Sequence, residues 1–152
     1  AMLKGLLWSR LHYEDLDLAY SFIFNTDNKS DSKLYLLHNK IITEFSNLDY
    51  HVSKEKVSSQ ISVRYPDDIQ LIAKNDRYEV TVNIHDNVEV NDREMVDTGF
   101  MGRISDSLSW RSIGNPKGLR LLAKADIIIN NNMVRTEFKG ITSISEYVSF
   151  VK

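Results

Sequence analysis

Apolar residues fill every second position in two stretches of this chain, and that spacing constrains the fold most. Side chains of a β-strand alternate between faces, so a period of two means one face buried and one in water. Tyr78, Val80, Val82 and Ile84 alternate with Glu79, Thr81 and Asn83. Leu16, Leu18, Tyr20, Phe22 and Phe24 alternate with Asp15, Asp17, Ala19, Ser21 and Ile23. Val57, Ser59, Ile61 and Val63 predict a further strand, ended by Pro66-Asp67-Asp68, and residues 69–73 a short one. Asn75-Asp76 reads as a turn, and His85-Asp86-Asn87 as a turn into an extended piece around Val88 and Val90.

Elsewhere the apolar spacing changes to three and four. Leu34, Leu37, Ile41, Phe45 and Leu48 form such a stripe, so a helix over 32–48 is predicted, N-capped by Ser32 and packed through Leu37, Ile41 and Phe45. Val96, Phe100, Ile104 and Leu108 share a second helical face, which Gly99 and Gly102 weaken into a broken helix. Residues 119–129 and 133–139 read as a hairpin about Asn130-Asn131-Asn132, and Ser143 caps a final short helix carrying Ile144, Tyr147, Val148 and Val151. In residues 2–11, Leu3, Leu6, Leu7, Trp8 and Leu11 fit a helical stripe flanked by Lys4 and Arg10. The expectation is one α+β domain over 1–152, with a largely antiparallel sheet, one main packed helix, a broken helical segment, and a C-terminal hairpin plus short helix. Residues 1–11 are a candidate apolar N-terminal arm.

At 152 residues, 42% of them hydrophobic and 26% charged, the chain is long enough for one well-buried core. The absence of cysteine excludes disulfides, thiolate metal sites and a thiol nucleophile, and suits a reducing compartment. Residues 2–8 do not read as a secretion signal and no apolar run reaches bilayer length, so an intracellular, cytoplasmic location is expected. The formal charge of −2 hides an uneven distribution. Asp86, Glu89, Asp92, Glu94 and Asp97 form an acidic run, whereas Arg103, Arg111, Lys117, Arg120 and Lys124 form a basic one. The basic run is a candidate contact for an anionic partner.

Motifs for catalysis are absent. The sequence holds no dinucleotide fingerprint, no phosphate loop, no nucleophile elbow and no paired histidines at helical spacing. His12, His38, His51 and His85 stand apart, and the pairs Asp15/Asp17 and Asp67/Asp68 read as solvated turn residues. No cofactor, no metal and no sequence-specific nucleic-acid binding is expected, and the chain reads as a binding or assembly protein rather than an enzyme. Phe100 and Met101, bracketed by Gly99 and Gly102, are candidate anchors for a partner, and Leu3, Leu6, Leu7 and Trp8 are candidates for self-association or membrane contact.

The order of predicted elements resembles the globular domain of rhabdovirus matrix proteins. The residues carrying it are 18–24 with the 32–48 helix, 78–86 as a central strand and acidic turn, and 142–150 as a tail. The resemblance implies a virion structural protein that self-associates, bridges nucleocapsid and lines the inner membrane surface. The chain departs from that family in lacking a lysine-rich tail and proline-rich budding motifs. An alternative reading is a bacterial immunity protein, whose acidic patch covers the basic cleft of a toxin domain.

Overall fold

Asn39 and Lys40 both have left-handed backbone, φ 51° and 63°, and this pair splits the stretch expected to be the main helix into two strands. A turn with φ positive at both central residues matches the right-handed twist of flanking strands, which makes it a hairpin turn rather than a place a helix could pass through. The computed structural model describes residues 3–25, 30–90 and 117–149. Nine strands are found among them: β1 (Leu3–Tyr13), β2 (Leu16–Asn25), β3 (Ser30–His38), β4 (Ile41–Ser46), β5 (Asp49–Val57), β6 (Arg64–Lys74), β7 (Tyr78–Glu89), β8 (Lys117–Asn131) and β9 (Val134–Ser149).

No helix occurs among the described residues, which overturns the α+β expectation. In the 32–48 stretch, Ser32, Leu34 and Leu36 are buried in strand alternation, and Phe45 and Leu48 are buried beyond the turn. Ile41 and Ile42 point to solvent, 55% and 74% exposed. The three-and-four spacing arose because two strands with a tight turn between them bring their inward positions into a helix-like count. Ser32 caps a corner rather than a helix. Its backbone carbonyl accepts from Asn47 N at 3.1 Å, and its hydroxyl accepts from Leu48 N at 2.8 Å.

Residues 2–11 and 143–151 are corrected in the same way. Residues 3–13 form β1, paired to β2 on one side and β9 on the other, so they lie at the centre of a sheet and not on a helical arm. Ser143 to Ser149 continue β9. The hairpin about Asn130–Asn132 is present as β8 and β9, turning at Asn132 (φ 53°) and Met133. The broken helix expected around 91–110 lies outside the described residues.

The strands form a single antiparallel sheet in the order β4-β3-β2-β1-β9-β8-β7-β6-β5. β4 and β5 are joined by Asn47 and Leu48 yet stand at opposite edges, so the sheet curls into a half-barrel that stops short of closing at that corner. Its inner face carries the main core, from Leu7, Leu11, Tyr20 and Phe22 across to Leu71, Val82, Ile84 and Ile127. Each such large side chain contributes about 1.5–3 kcal/mol through burial. Four hydroxyls interrupt this apolar face near the centre: Ser9, Tyr20, Ser143 and Ser145, all buried. Ser9 donates to the Ile144 carbonyl at 3.0 Å and therefore accepts from Ser143 Oγ at 2.8 Å.

Candidate functional site

Where Leu7, Ser9 and Leu11 face the core, the intervening Trp8, Arg10 and His12 face the other side of β1, because a strand alternates. Arg10 lies beside Ile144 of β9, and His12 lies beside Asp17 of β2. The side chains of Trp8, Arg10, His12, Asp17 and Ile144 line, with Thr142 and the strand at Leu11, whose own side chain is in the core, a groove of about 630 Å³ on the face turned away from the main core. That volume falls within the range of about 300–1,000 Å³ seen for small-molecule sites.

The polar wall of the groove is built by one short turn. Glu14 and Asp15 connect β1 to β2, with φ 53° at Glu14, and the register counted outward from them places His12 opposite Asp17. His12 Nδ1 lies 2.9 Å from Asp17 Oδ1, and Arg10 Nη2 lies 3.9 Å from the same oxygen. A carboxylate only accepts, so Nδ1 carries the proton and Nε2 is the acceptor of the neutral ring. The His12–Asp17 hydrogen bond and the Arg10–Asp17 ion pair both lie at the surface, where such contacts contribute only about 0–1 kcal/mol to stability. Their arrangement therefore matters more for what approaches the groove than for holding the fold. Trp8 and Ile144 supply the apolar wall. Lys124 Nζ donates to Thr142 Oγ1 at 3.1 Å, which brings a further cation to the rim.

Beyond Trp8 along the same face stands an ion pair. Glu146 is the register neighbour of both Trp8 and Arg120, and Arg120 Nη2 donates to Glu146 Oε1 at 3.3 Å. Burial pushes the Glu146 carboxyl up, and Arg120 partly offsets that.

The residues expected from sequence separate accordingly. Trp8 lines the groove, whereas Leu7 is a core residue and Leu6 is half-buried in the central strand. Leu3 and Lys117 are strand residues at the starts of β1 and β8. Arg120, expected to meet an anionic partner, is committed to Glu146, while Lys124 is exposed at the groove rim. Phe100, Met101, Arg103 and Arg111 lie outside the described residues. Arg10, His12, Asp17, Thr142 and Ile144 were missed. Their signal was the symmetry of 12 and 17 about a turn at 14–15, which becomes visible only once residues 3–13 are read as a strand. Among the described residues no group of three or more His, Asp or Glu side chains is placed to hold a metal ion. Among them, too, no helix is long and apolar enough to cross a membrane.

No family model and no curated protein matches the sequence. Solved structures do share the fold. One is a candidate AttH protein from Nitrosomonas europaea, with TM-score 0.58, 12% identity, and coverage of 97% of this chain and 39% of that one. Another is kievitone hydratase from Nectria haematococca, with TM-score 0.55, 13% identity, and coverage of 98% of this chain and 40% of that one. The chain thus spans about two fifths of the length of each. At such identity the likeness is one of fold, and one of these two similar proteins is by name an enzyme. Among the described residues, strands stand where the resemblance to matrix proteins expected the 32–48 helix.

Proposed function

We propose that this chain is a β-sheet domain that binds a small amphipathic molecule in the groove between Trp8, Arg10, His12, Asp17 and Ile144. One observation carries the reading: a His12–Asp17 pair 2.9 Å apart stands in the wall of a groove of about 630 Å³ that also presents Trp8 and Ile144. The ligand class follows from the wall. An aromatic or aliphatic body lies against Trp8 and Ile144, an anionic head meets Arg10, and a hydrogen-bond donor of the ligand meets Nε2 of His12. With Nδ1 held by Asp17, His12 keeps Nε2 available as a proton acceptor, the arrangement of a general base. Binding is the function proposed, and proton transfer at His12 is the chemistry open to it. The fold of kievitone hydratase supports the idea that a sheet of this kind can serve an enzyme.

The test uses an aromatic anion, anilinonaphthalene sulfonate, followed by Trp8 fluorescence in a Trp110→Phe background. Saturable binding at concentrations below about 1 mM, corresponding to about −4 kcal/mol, is expected, with a loss of roughly tenfold in Arg10→Ala. No saturation, or binding indifferent to Arg10→Ala and His12→Ala, would remove the reading.

A further inference from the structure

The curled sheet has two edges, and they are defended differently. β5 carries Lys54-Glu55-Lys56 in succession, with register irregularities between Val52 and Lys54 and between Lys54 and Glu55. Charges and bulges of this kind blunt an edge against pairing with another strand. β4 carries a single charge, Glu44, and leaves Ile41 and Ile42 exposed. Among the described residues β4 pairs only with β3, so its outer row of amides and carbonyls has no strand partner.

The geometry of that row selects its occupant. Asn39 and Lys40 form a two-residue turn, so the closing pair His38–Ile41 exchanges hydrogen bonds, as do Leu36–Thr43 and Leu34–Phe45 at alternate positions. The N–H and C=O groups of Ile42 and Glu44 therefore point away from β3. We infer that β4 pairs antiparallel with β4 of a second copy about a twofold axis at Ile42, joining two curled sheets edge to edge. In that register Ile42 meets Ile42 and Ile41 meets Thr43, while Lys40, in the left-handed turn just before the strand, lies beside the end where Glu44 of the other copy sits, a carboxylate that Lys33 of its own sheet approaches at 3.1 Å. The outward-pointing groups face one another, as an antiparallel ladder requires. Neighbouring registers fail on side-chain chemistry: an axis at Thr43 sets Glu44 against Ile42, and an axis at Glu44 sets two carboxylates face to face. Opposite charges across a strand pair stabilise it and like charges destabilise it. An isologous contact of this kind closes as a dimer and does not propagate. The inference rests on the β4 edge and is independent of the groove. It also replaces residues 2–11 as the self-association element, since both edges of β1 are already paired.

Sedimentation velocity of the 152-residue chain from about 1 µM to about 1 mM is the test, the upper end being where contacts of about −4 kcal/mol become visible. A reversible dimer is expected. Ile42→Lys should abolish it without changing the melting temperature by more than a surface substitution does. Lys40→Glu should weaken it roughly tenfold by setting two carboxylates together twice, and Lys40→Glu with Glu44→Lys should restore it. A monomer throughout, as when another segment or domain covers the edge, would overturn the inference. So would a dimer that survives Ile42→Lys, or one that the charge exchange fails to restore.

Discussion

His85 on β7 reaches Asp126 on β8 through Nε2 at 3.0 Å, while its Nδ1 reaches Asp86 at 2.9 Å. Both acceptors are carboxylates, so both ring nitrogens must donate and the bound ring is the imidazolium. Hydrogen bonding to Asp86 is the main cause raising its pKa, with Asp126 adding to it. Asp126 in turn accepts from Gly140 N at 2.8 Å, the main cause lowering its own pKa. The cluster ties together register shifts at His85/Val88 and Ala125/Ile127.

A raised histidine pKa stabilises the fold fully below its ordinary value near 6.5, and that contribution is lost as pH rises through the raised value. Asp126 acts in the opposite sense, its contribution present above the ordinary carboxylate range and lost as pH falls through the lowered value. Thermal unfolding between about pH 6 and about pH 9 should therefore show the parent losing stability relative to His85→Gln. Parallel curves would count against the imidazolium assignment.

Ile41 and Leu36 test the corrected fold. Leu36 is 1% exposed on β3, whereas Ile41 is 55% exposed just past the turn. Ile41→Asp should change stability by about 0.5 kcal/mol or less, as surface substitutions do. Leu36→Ala should cost about 2–5 kcal/mol. Denaturant melts of both variants decide, and unfolding by Ile41→Asp would restore the helical packing of this stretch.

Asp67 is buried, with Lys54 Nζ at 3.4 Å and Lys56 Nζ at 3.2 Å. It also accepts from Asn87 N at 3.2 Å, just after the left-handed Asp86 (φ 57°), and so fixes the kink in β7. Both lysines can turn to water when the carboxylate is removed, but the Asn87 amide cannot. Asp67→Ala should thus cost roughly 1–3 kcal/mol, the penalty of an unpaired buried donor. Hydrogen exchange at Asn87 should rise more than at Val82, and equal changes at both would mean that Asp67 is no local clamp.

Tyr20 is fully buried, and burial pushes its phenol up to about 12. The hydroxyls of Ser9 and Ser145 are close enough to lower that value somewhat, yet none completes a hydrogen bond to it of good geometry. An unpaired buried hydroxyl is a cost that phenylalanine removes. Tyr20→Phe should be neutral or stabilising in a thermal melt, and a loss above about 1 kcal/mol would indicate that the hydroxyl is paired after all.

The sequence by itself determined the strands whose two faces differ most. Residues 78–84 and 16–23 alternate between core and surface, and the period of two survives in any fold that buries one face. It also determined the hairpin at Asn132, where short polar side chains tolerate left-handed backbone. Only the tertiary structure decided β3 and β4, because Leu34, Phe45 and Leu48 count equally well along a helix or across a turn, and the left-handed pair Asn39-Lys40 settles between them. The same holds for β1. Its apolar run fits a helical stripe in isolation, but the vacancy between β2 and β9 gives its backbone two ladders of hydrogen bonds that a docked helix could not supply. The groove followed from that choice. His12 and Asp17 are five residues apart and unremarkable in the chain, and they meet at 2.9 Å because antiparallel pairing folds the turn at Glu14 and Asp15 between them.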